Sequence, residues 1–201
     1  MDDGTSPSRS PRPSLLEPTD PGFPPPVWIS GAAPIIVTAT MGAADQRRFD
    51  RLRRAHFPPD RNHLPAHITL FHHLPPSCRD ELDGLLRQIS NDTPPPAARV
   101  LAPYSLGKGV AYRIESPQLL AVRARIADRF GGLLTAQDRG TPRLHITVQN
   151  KVSPTAARAL LADLAQGFQP GLLTIAGLAA DYYRGGPWER IFARNFRGPR
   201  T

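Results

Sequence analysis

The sequence predicts an α+β fold in which two related lobes face each other across a groove. First, short segments typical of strands alternate with segments in which apolar residues recur at helical spacing. Second, the tripeptide His-Ile-Thr occurs twice, at His67 and at His145, 78 residues apart. Third, a serine that could start a helix follows each copy at a similar distance. We therefore expect a pseudo-twofold pair of antiparallel-rich sheets, with the helices outside and a central groove.

In the first half of the chain, β-branched or alternating runs predict strands and regular apolar stripes predict helices. Ser77 is the expected N-cap of the second helix, because Asp80 lies at its third position. A Gly107–Gly109 turn joins the last two strands. In chain order the elements are a strand at Ile35–Thr40, a helix at Asp45–Ala55, a strand at Ala66–Phe71, the helix after Ser77, and strands at Arg99–Leu106 and Val110–Glu115.

The second half repeats this order at about the same offset. A helix starts at Ser116–Pro117, carries an apolar stripe to Phe130 and stops at Gly131–Gly132, because serine caps and proline suits the first helical position. Ser153–Pro154 starts another helix in the same way. The predicted strands are Leu144–Val148, Leu172–Tyr183 and Glu189–Phe196, the last two separated by a Gly-Gly-Pro turn.

Length and composition limit the kind of protein this can be. A chain of 201 residues, 40% of them hydrophobic, can bury a core without disulfides. The single cysteine, Cys78, excludes an intrachain disulfide and any site built from several cysteines. No apolar run approaches the ~18 residues of a membrane span, and the first residues lack the apolar core of a secretion signal. We expect a soluble, cytoplasmic monomer without membrane contact.

The distribution of proline and charge divides the chain. Eight of the 24 prolines lie within residues 1–26, which predicts a disordered leader over residues 1–29. Residues 30–197 form the predicted bilobal domain, and residues 198–201 are a tail. The net charge of +8 belongs to the domain, because residues 1–30 hold two arginines against four acidic residues. A basic domain favours an anionic ligand such as a phosphate or nucleic acid, although an arginine-rich composition also arises without one.

The repeated motif carries the predicted chemistry. Alternate residues of a strand share a face, so His67 and Thr69 project together, as do His145 and Thr147. One histidine can act as a neutral base while the other acts as a charged acid, since the ordinary pKa lies near 6.5. In-line displacement at phosphorus needs such groups on opposite sides, and threonine hydroxyls can donate to the phosphoryl oxygens.

These segments resemble the two-histidine (2H) phosphoesterase superfamily, in particular bacterial proteins of the 2′-5′ RNA ligase and RNA 2′,3′-cyclic phosphodiesterase kind. The similarity covers about residues 30–197. The matching segments are HITL at 67–70, HITV at 145–148, QNKV at 149–152 and YRGGPWE at 183–189.

The resemblance implies catalytic roles for the two histidines and phosphate binding by the two threonines, with no cofactor. It also implies RNA ends, cyclic nucleotides or cyclic oligonucleotides as binding partners. One departure is His72–His73, where many relatives carry an aromatic or small apolar residue. These two residues form either a solvated turn or a contact to the substrate.

Further residues are candidates for substrate binding. Phe71 shares the face of His67 by alternation and could stack on a base or pack in the core. Arg143 and Gln149 lie on the face of His145, and Arg113 faces the groove if its apolar neighbours face the helices. Tyr183 and Trp188 flank the final turn, where they could stack on a base or close the sheet.

We expect no metal site. His63 and His67 have a spacing that binds zinc on a helix, but Pro65 between them excludes that helix. The favoured function is a metal-independent phosphodiesterase acting on RNA 2′,3′-cyclic phosphate ends or on a related cyclic nucleotide. A ligase or 2′-5′ phosphodiesterase using the same site, and a non-catalytic basic RNA-binding module, remain as alternatives.

Overall fold

The computed structural model describes residues 33–198. The predicted leader and all but the first residue of the predicted tail lie outside these residues. Within the described range the chain forms seven strands and five α-helices. They are β1 Ile35–Met41, α1 Ala43–His56, β2 Ile68–Leu74, α2 Arg79–Asp92, β3 Ala97–Ser105, β4 Val110–Glu115, α3 Pro117–Phe130, α4 Ala136–Arg139, β5 His145–Gln149, α5 Pro154–Ala165, β6 Gly171–Tyr182 and β7 Glu189–Asn195.

The strands form one curled antiparallel sheet in the order β2-β1-β6-β3-β4-β5, with β7 also paired to β6. The predicted α+β class is confirmed. The two predicted sheets are joined, because the 12-residue strand β6 pairs with β3 at its start and with β1 and β7 further along. A strand this long belongs to both lobes and makes the sheet continuous.

The repeat is connected differently from the prediction. Two units of strand, helix, strand, helix and strand, β1 to β3 and β4 to β6, have equivalent elements that start 74 to 77 residues apart. The third strand of each unit pairs with the first strand of the other unit, β3 with β4 and β6 with β1. The lobes are therefore not contiguous halves of the sequence. Strand pairing is non-local, so the pattern of one segment does not reveal which strand it pairs with.

Aromatic and aliphatic side chains bury the back of the sheet. Phe49 on α1 packs edge-on against Tyr112 on β4, with ring centroids 5.7 Å apart, and Tyr112 contacts Phe168 at 5.6 Å. Full burial of such a side chain stabilises the fold by about 1.5–3 kcal/mol. The stripe predicted on α3 is confirmed as core, since Leu119, Val122, Ile126 and Phe130 are buried. The opposite face of the sheet is left to line the groove.

Two of the three predicted helix caps are confirmed. Ser116 and Ser153 each accept a hydrogen bond from the backbone N–H three residues later, at 3.1 and 3.2 Å. Ser77 does not cap α2, because it lies inside the 3-10 turn Pro76–Cys78 that precedes the helix. The short helix α4 is not predicted by the sequence pattern.

No helix within residues 33–198 is long and apolar enough to cross a membrane.

Candidate active site

The two His-Ile-Thr motifs lie on the outermost strands of the sheet. β2 and β5 stand at opposite ends of the strand order, and the curl of the sheet brings them into contact. His67 immediately precedes β2, and His145 is the first residue of β5. The two imidazoles are close enough that the charge of His145 helps to lower the pKa of His67. The structure thus brings the predicted pair into one groove.

Both imidazoles are held by the same hydrogen bond. His67 Nδ1 lies 2.8 Å from the carbonyl oxygen of Pro65, and His145 Nδ1 lies 2.7 Å from that of Arg143. A carbonyl oxygen only accepts, so each Nδ1 carries a proton and donates it. The lone pair of each neutral ring is then on Nε2. Either ring can therefore take or give a proton at that atom.

Thr69 and Thr147 are half-buried and follow their histidines by two residues. The backbone of each is fixed by pairing with the neighbouring strand, Thr69 with Thr38 on β1 and Thr147 with Ala111 on β4. By the alternation of side chains along a strand, each hydroxyl shares the face of its histidine.

A β-bulge follows each threonine. From Thr69 to Phe71, β2 advances by two residues while its partner β1 advances by one. From Thr147 to Gln149, β5 advances by two residues while its partner β4 advances by one. Such an extra residue breaks the alternation of faces along a strand. Phe71 is fully buried and Gln149 is 7% exposed. The prediction that both lie on the groove face is therefore wrong, and Phe71 packs in the core.

His67 lies in surroundings that disfavour its charged form. Burial is the main cause and lowers its pKa to about 4, and the charges of Arg53, His145 and His72 act in the same direction. The ring of Trp188 packs against it, with centroids 4.6 Å apart and planes inclined by 49°. The hydrogen bond to Pro65 opposes the shift without cancelling it. His67 is consequently neutral at neutral pH.

The pKa of His145 is also lowered, first by burial and then by the charge of His72, against the effect of its bond to the Arg143 carbonyl. The ring of Tyr104 approaches edge-on, with centroids 6.3 Å apart. Sequence reasoning missed Tyr104, since its position beside β5 depends on the pairing of β3 with β4. Arg113 on β4 pairs directly with His145, and its side chain is exposed on that face.

Polar side chains of α1 hold the segment that leads into His67. Asp50 Oδ1 accepts the backbone N–H of Ala66 at 2.7 Å, and Gln46 Nε2 donates to the carbonyl oxygen of the same residue at 2.9 Å. Arg53 Nε donates to the carbonyl oxygen of Leu64 at 3.2 Å. Helix α1 therefore fixes the irregular segment before β2 and, with it, the position of His67.

Two buried arginines link the two units, because each bonds to the motif strand of the unit to which it does not belong. Arg53 on α1 is 4% exposed and its Nη1 donates to the carbonyl oxygen of Thr147 at 2.9 Å. Arg123 on α3 is 6% exposed and its Nε donates to the carbonyl oxygen of Leu70 at 3.2 Å. Each helix thus holds the motif strand of the other unit. Burial lowers the pKa of Arg53 to about 10 and also lowers that of Arg123.

No motif in the sequence marks these two arginines. A signal was available, because each occupies a position four residues after a buried apolar residue of its helix, Phe49 for Arg53 and Leu119 for Arg123. A charge on the inward stripe of a helix predicts a buried, hydrogen-bonded group.

The remaining candidates for substrate binding lie in different surroundings. Trp188 lies against His67, as described above. The side chain of Arg143 is exposed beside His145, while its carbonyl group orients that ring. Tyr183 is half-buried, and its backbone N–H donates to Pro34 at 3.0 Å. Their roles in binding stay predictions.

A cleft of about 230 Å³ opens beside His67. The ion pair of Asp181 and Arg190, 2.6 Å between Oδ1 and Nε, lies along one side, and Trp188 lines the cleft as well. Threonines from β1 and the segment before His67 complete the wall: Thr38, Thr40, His63, Leu64, Pro65 and Ala66. A larger cleft of about 600 Å³ lies between α2 and β7 and contains neither histidine.

Within residues 33–198, no group of three or more histidine, cysteine or acidic side chains is arranged to hold a metal ion.

Comparison with known proteins identifies a matching family and solved structures with a similar fold. The model of the 2′-5′ RNA ligase superfamily matches residues 42–186, which include both motifs. TT0787 of Thermus thermophilus has a TM-score of 0.56 at 15% identity, covering 82% of this chain and 98% of its own. E. coli LigT, in a complex with 3′-AMP, has a TM-score of 0.54 at 15% identity, with the same coverage. The solved structures share the fold. No curated protein matches the chain.

Proposed function

The chain belongs to the 2′-5′ RNA ligase superfamily, and we propose that it is a metal-independent phosphodiesterase that opens the 2′,3′-cyclic phosphate at an RNA end or in a related cyclic nucleotide. The observation that carries the proposal is the matched pair of histidines. Each donates its Nδ1 proton in a hydrogen bond to a backbone carbonyl oxygen, and each is followed two residues later by a threonine. Two equivalent imidazoles on opposite strands of one groove suit a reaction that needs a base and an acid at one phosphorus atom.

His67 is the base in this mechanism, because its lowered pKa keeps Nε2 unprotonated at neutral pH. Nε2 takes a proton from a water molecule as its oxygen attacks phosphorus. A bond forms between phosphorus and the water oxygen, and the bond to the ribose oxygen on the opposite side breaks. His145 gives the proton on Nε2 to that leaving oxygen. The bound phosphate supplies a negative charge that favours the protonated form of His145.

The hydroxyls of Thr69 and Thr147 would bind the non-bridging phosphoryl oxygens, where negative charge increases in the transition state. The exposed arginines beside His145, Arg113 and Arg143, would attract the anionic substrate. The cleft beside His67, with Trp188 on its wall, would take the base or ribose of the terminal nucleotide.

Ligation is the second candidate, and the family to which the chain belongs favours it. In that reaction a 5′-hydroxyl takes the place of water, and the same acid and base produce a 2′-5′ link. A module that only binds RNA would need neither the matched hydrogen bonds nor the lowered pKa of His67.

The test is product analysis after reaction in excess EDTA, with 2′,3′-cyclic, 3′-5′ and 2′-5′ substrates offered separately. We expect rapid opening of the cyclic phosphate and little cleavage of the 3′-5′ and 2′-5′ substrates. Addition of a 5′-hydroxyl oligonucleotide shows whether ligation competes with hydrolysis. Activity that disappears in EDTA and returns with Zn²⁺ or Mn²⁺ would refute the metal-independent mechanism.

A further inference from the structure

We propose that His72 is a third histidine of the groove and binds a second phosphate of the substrate, the one that joins the terminal nucleotide to its 5′ neighbour. This inference rests on the proposed function and narrows its substrate class to oligonucleotide ends. From the sequence alone, His72 belongs either to a solvated turn or to a contact with the substrate. In the structure it lies within β2, beyond the bulge that follows Thr69.

His72 is oriented by a buried carboxylate. Its Nδ1 lies 3.1 Å from Asp138 Oδ1, and the Asp138 side chain is 2% exposed while that of His72 is 32% exposed. The carboxylate also accepts the backbone N–H groups of His72, at 3.0 Å, and of His73, at 2.9 Å. Because Asp138 accepts at Nδ1, the Nε2 atom is the one available to a ligand.

Asp138 is held as an anion. Burial alone would raise its pKa, but the hydrogen bonds from the His72 ring and from the two backbone N–H groups outweigh burial and lower it. The residue is fixed in place, since Arg123 donates both to its carbonyl oxygen and to that of Leu70. A carboxylate fixed in this way holds the orientation of the His72 ring that donates to it.

The position of His72 points to an anionic ligand. Its charge contributes to lowering the pKa of both His67 and His145, so its ring lies near both catalytic groups. Arg53 adds a further positive charge at His67. Like charges placed together repel, and a ligand with negative charge relieves that repulsion. A phosphodiester strand supplies such charges at regular intervals.

The spacing along β2 favours a second phosphate over the reacting one. His72 follows Thr69 by three residues, which is at most about 10 Å along an extended strand. Thr69 is assigned to the reacting phosphoryl group, and the next phosphate of the same strand falls within that span. A cyclic mononucleotide has no such group and would leave His72 without this contact.

The experiment compares a 2′,3′-cyclic mononucleotide with a dinucleotide that ends in the same cyclic phosphate. In the variant His72→Asn, the amide nitrogen replaces Nδ1 and keeps the bond to Asp138, but nothing replaces Nε2. We expect kcat/KM for the dinucleotide to fall about tenfold, because a charge-assisted hydrogen bond is lost. For the mononucleotide, kcat/KM taken at the pH optimum of each enzyme should stay within about twofold, because losing the His72 charge displaces the pH profile of both substrates alike. The matched control is His73→Ala, which removes the neighbouring imidazole but keeps the backbone N–H that bonds to Asp138.

A wild-type enzyme that treats the two substrates alike, or a His72→Asn variant that loses both activities equally, would overturn the inference. Failure of the wild type on both cyclic substrates would instead contradict the proposed function. Calorimetric binding of a mononucleotide and a dinucleotide ending in a 2′-phosphate then decides the inference. Tighter binding of the dinucleotide that disappears in His72→Asn supports it, and equal binding excludes it.

Discussion

The surroundings of His67 are closed and partly aromatic, whereas those of His145 carry exposed arginines. The Trp188 ring packs on His67, and α1 holds the segment before it. Beside His145, Arg113 and Arg143 present their side chains to solvent, and one tyrosine ring approaches edge-on. The backbone geometry is nevertheless the same, with Nδ1 donating to a carbonyl two residues earlier in both.

The difference shows how a duplicated motif can acquire two roles. The shared hydrogen bond fixes the tautomer of each ring, which prepares either histidine for proton transfer. What surrounds each ring then decides the charge it carries. Burial and nearby positive charge keep His67 neutral, as a base requires. Around His145, the exposed cations attract the anionic substrate that favours a protonated acid.

Removing either histidine should have the largest effect on activity. His67→Ala and His145→Ala should each reduce kcat by about 10³-fold, because each removes one of two coupled proton transfers. The double variant should be scarcely worse than either single variant, since residues that act together are not additive. Steady-state kinetics on a cyclic mononucleotide measures all three. Losses that simply multiply would show that the two rings do not share one reaction.

The threonines test whether the two motifs are equivalent at the phosphoryl group. Thr69→Val and Thr147→Val should each lower kcat by about 10²-fold with little change in KM, because the hydroxyl contact strengthens in the transition state. Thr174→Val is the matched control, because Thr174 is exposed on β6 and pairs with Ala97 on β3 rather than with a motif strand, so kcat and KM should not change. An effect confined to KM would mean that the threonines bind the ground state only.

Replacing Arg53 or Arg123 tests whether the two units are linked symmetrically. Arg53→Met and Arg123→Met should each reduce the free energy of unfolding by about 3 kcal/mol, because each leaves buried carbonyl groups without a donor. Urea unfolding measures this. Only Arg53→Met should also raise the pKa of His67, since Arg53 alone of the two contributes to it. Equal effects of both variants on that pKa would contradict the assignment.

The smallest effects concern the pH profile of kcat/KM, which should be bell-shaped. Its acid limb reports protonation of the base and its alkaline limb deprotonation of the acid. Both pKa values are lowered, so both limbs of the free enzyme should lie below the ordinary histidine value of about 6.5. Trp188→Ala admits water to His67 and should move the acid limb to higher pH. A displacement of the alkaline limb instead would reject the assignment of base and acid.

Much of the fold could be predicted because it depends on local pattern. The seven strands, four of the five helices and two serine caps follow from alternation, apolar stripes and capping chemistry within short segments. Arg113 was placed on the groove face by the same reasoning, since its neighbours Tyr112 and Ile114 are buried. Over these segments the residue sequence and the observed structure agree.

Alternation failed where the backbone leaves the regular strand. The bulges after Thr69 and Thr147 turn Phe71 and Gln149 inward, and nothing in the residue types marks the extra residue. A bulge is a property of a strand pair, because it depends on how the partner strand advances. A single segment cannot contain that information.

The sequence by itself determined the pair of His-Ile-Thr motifs, the elements that carry them and the basic charge of the domain. Only the tertiary structure decided which strands cross between the lobes, which arginines hold the motif strands, and that Asp138 orients His72. The physical reason is distance along the chain. Helix and strand formation depends on neighbours a few residues apart, whereas Arg53 bonds to a carbonyl 94 residues away and Asp138 to a ring 66 residues away. Contacts of that kind exist only once the chain has folded.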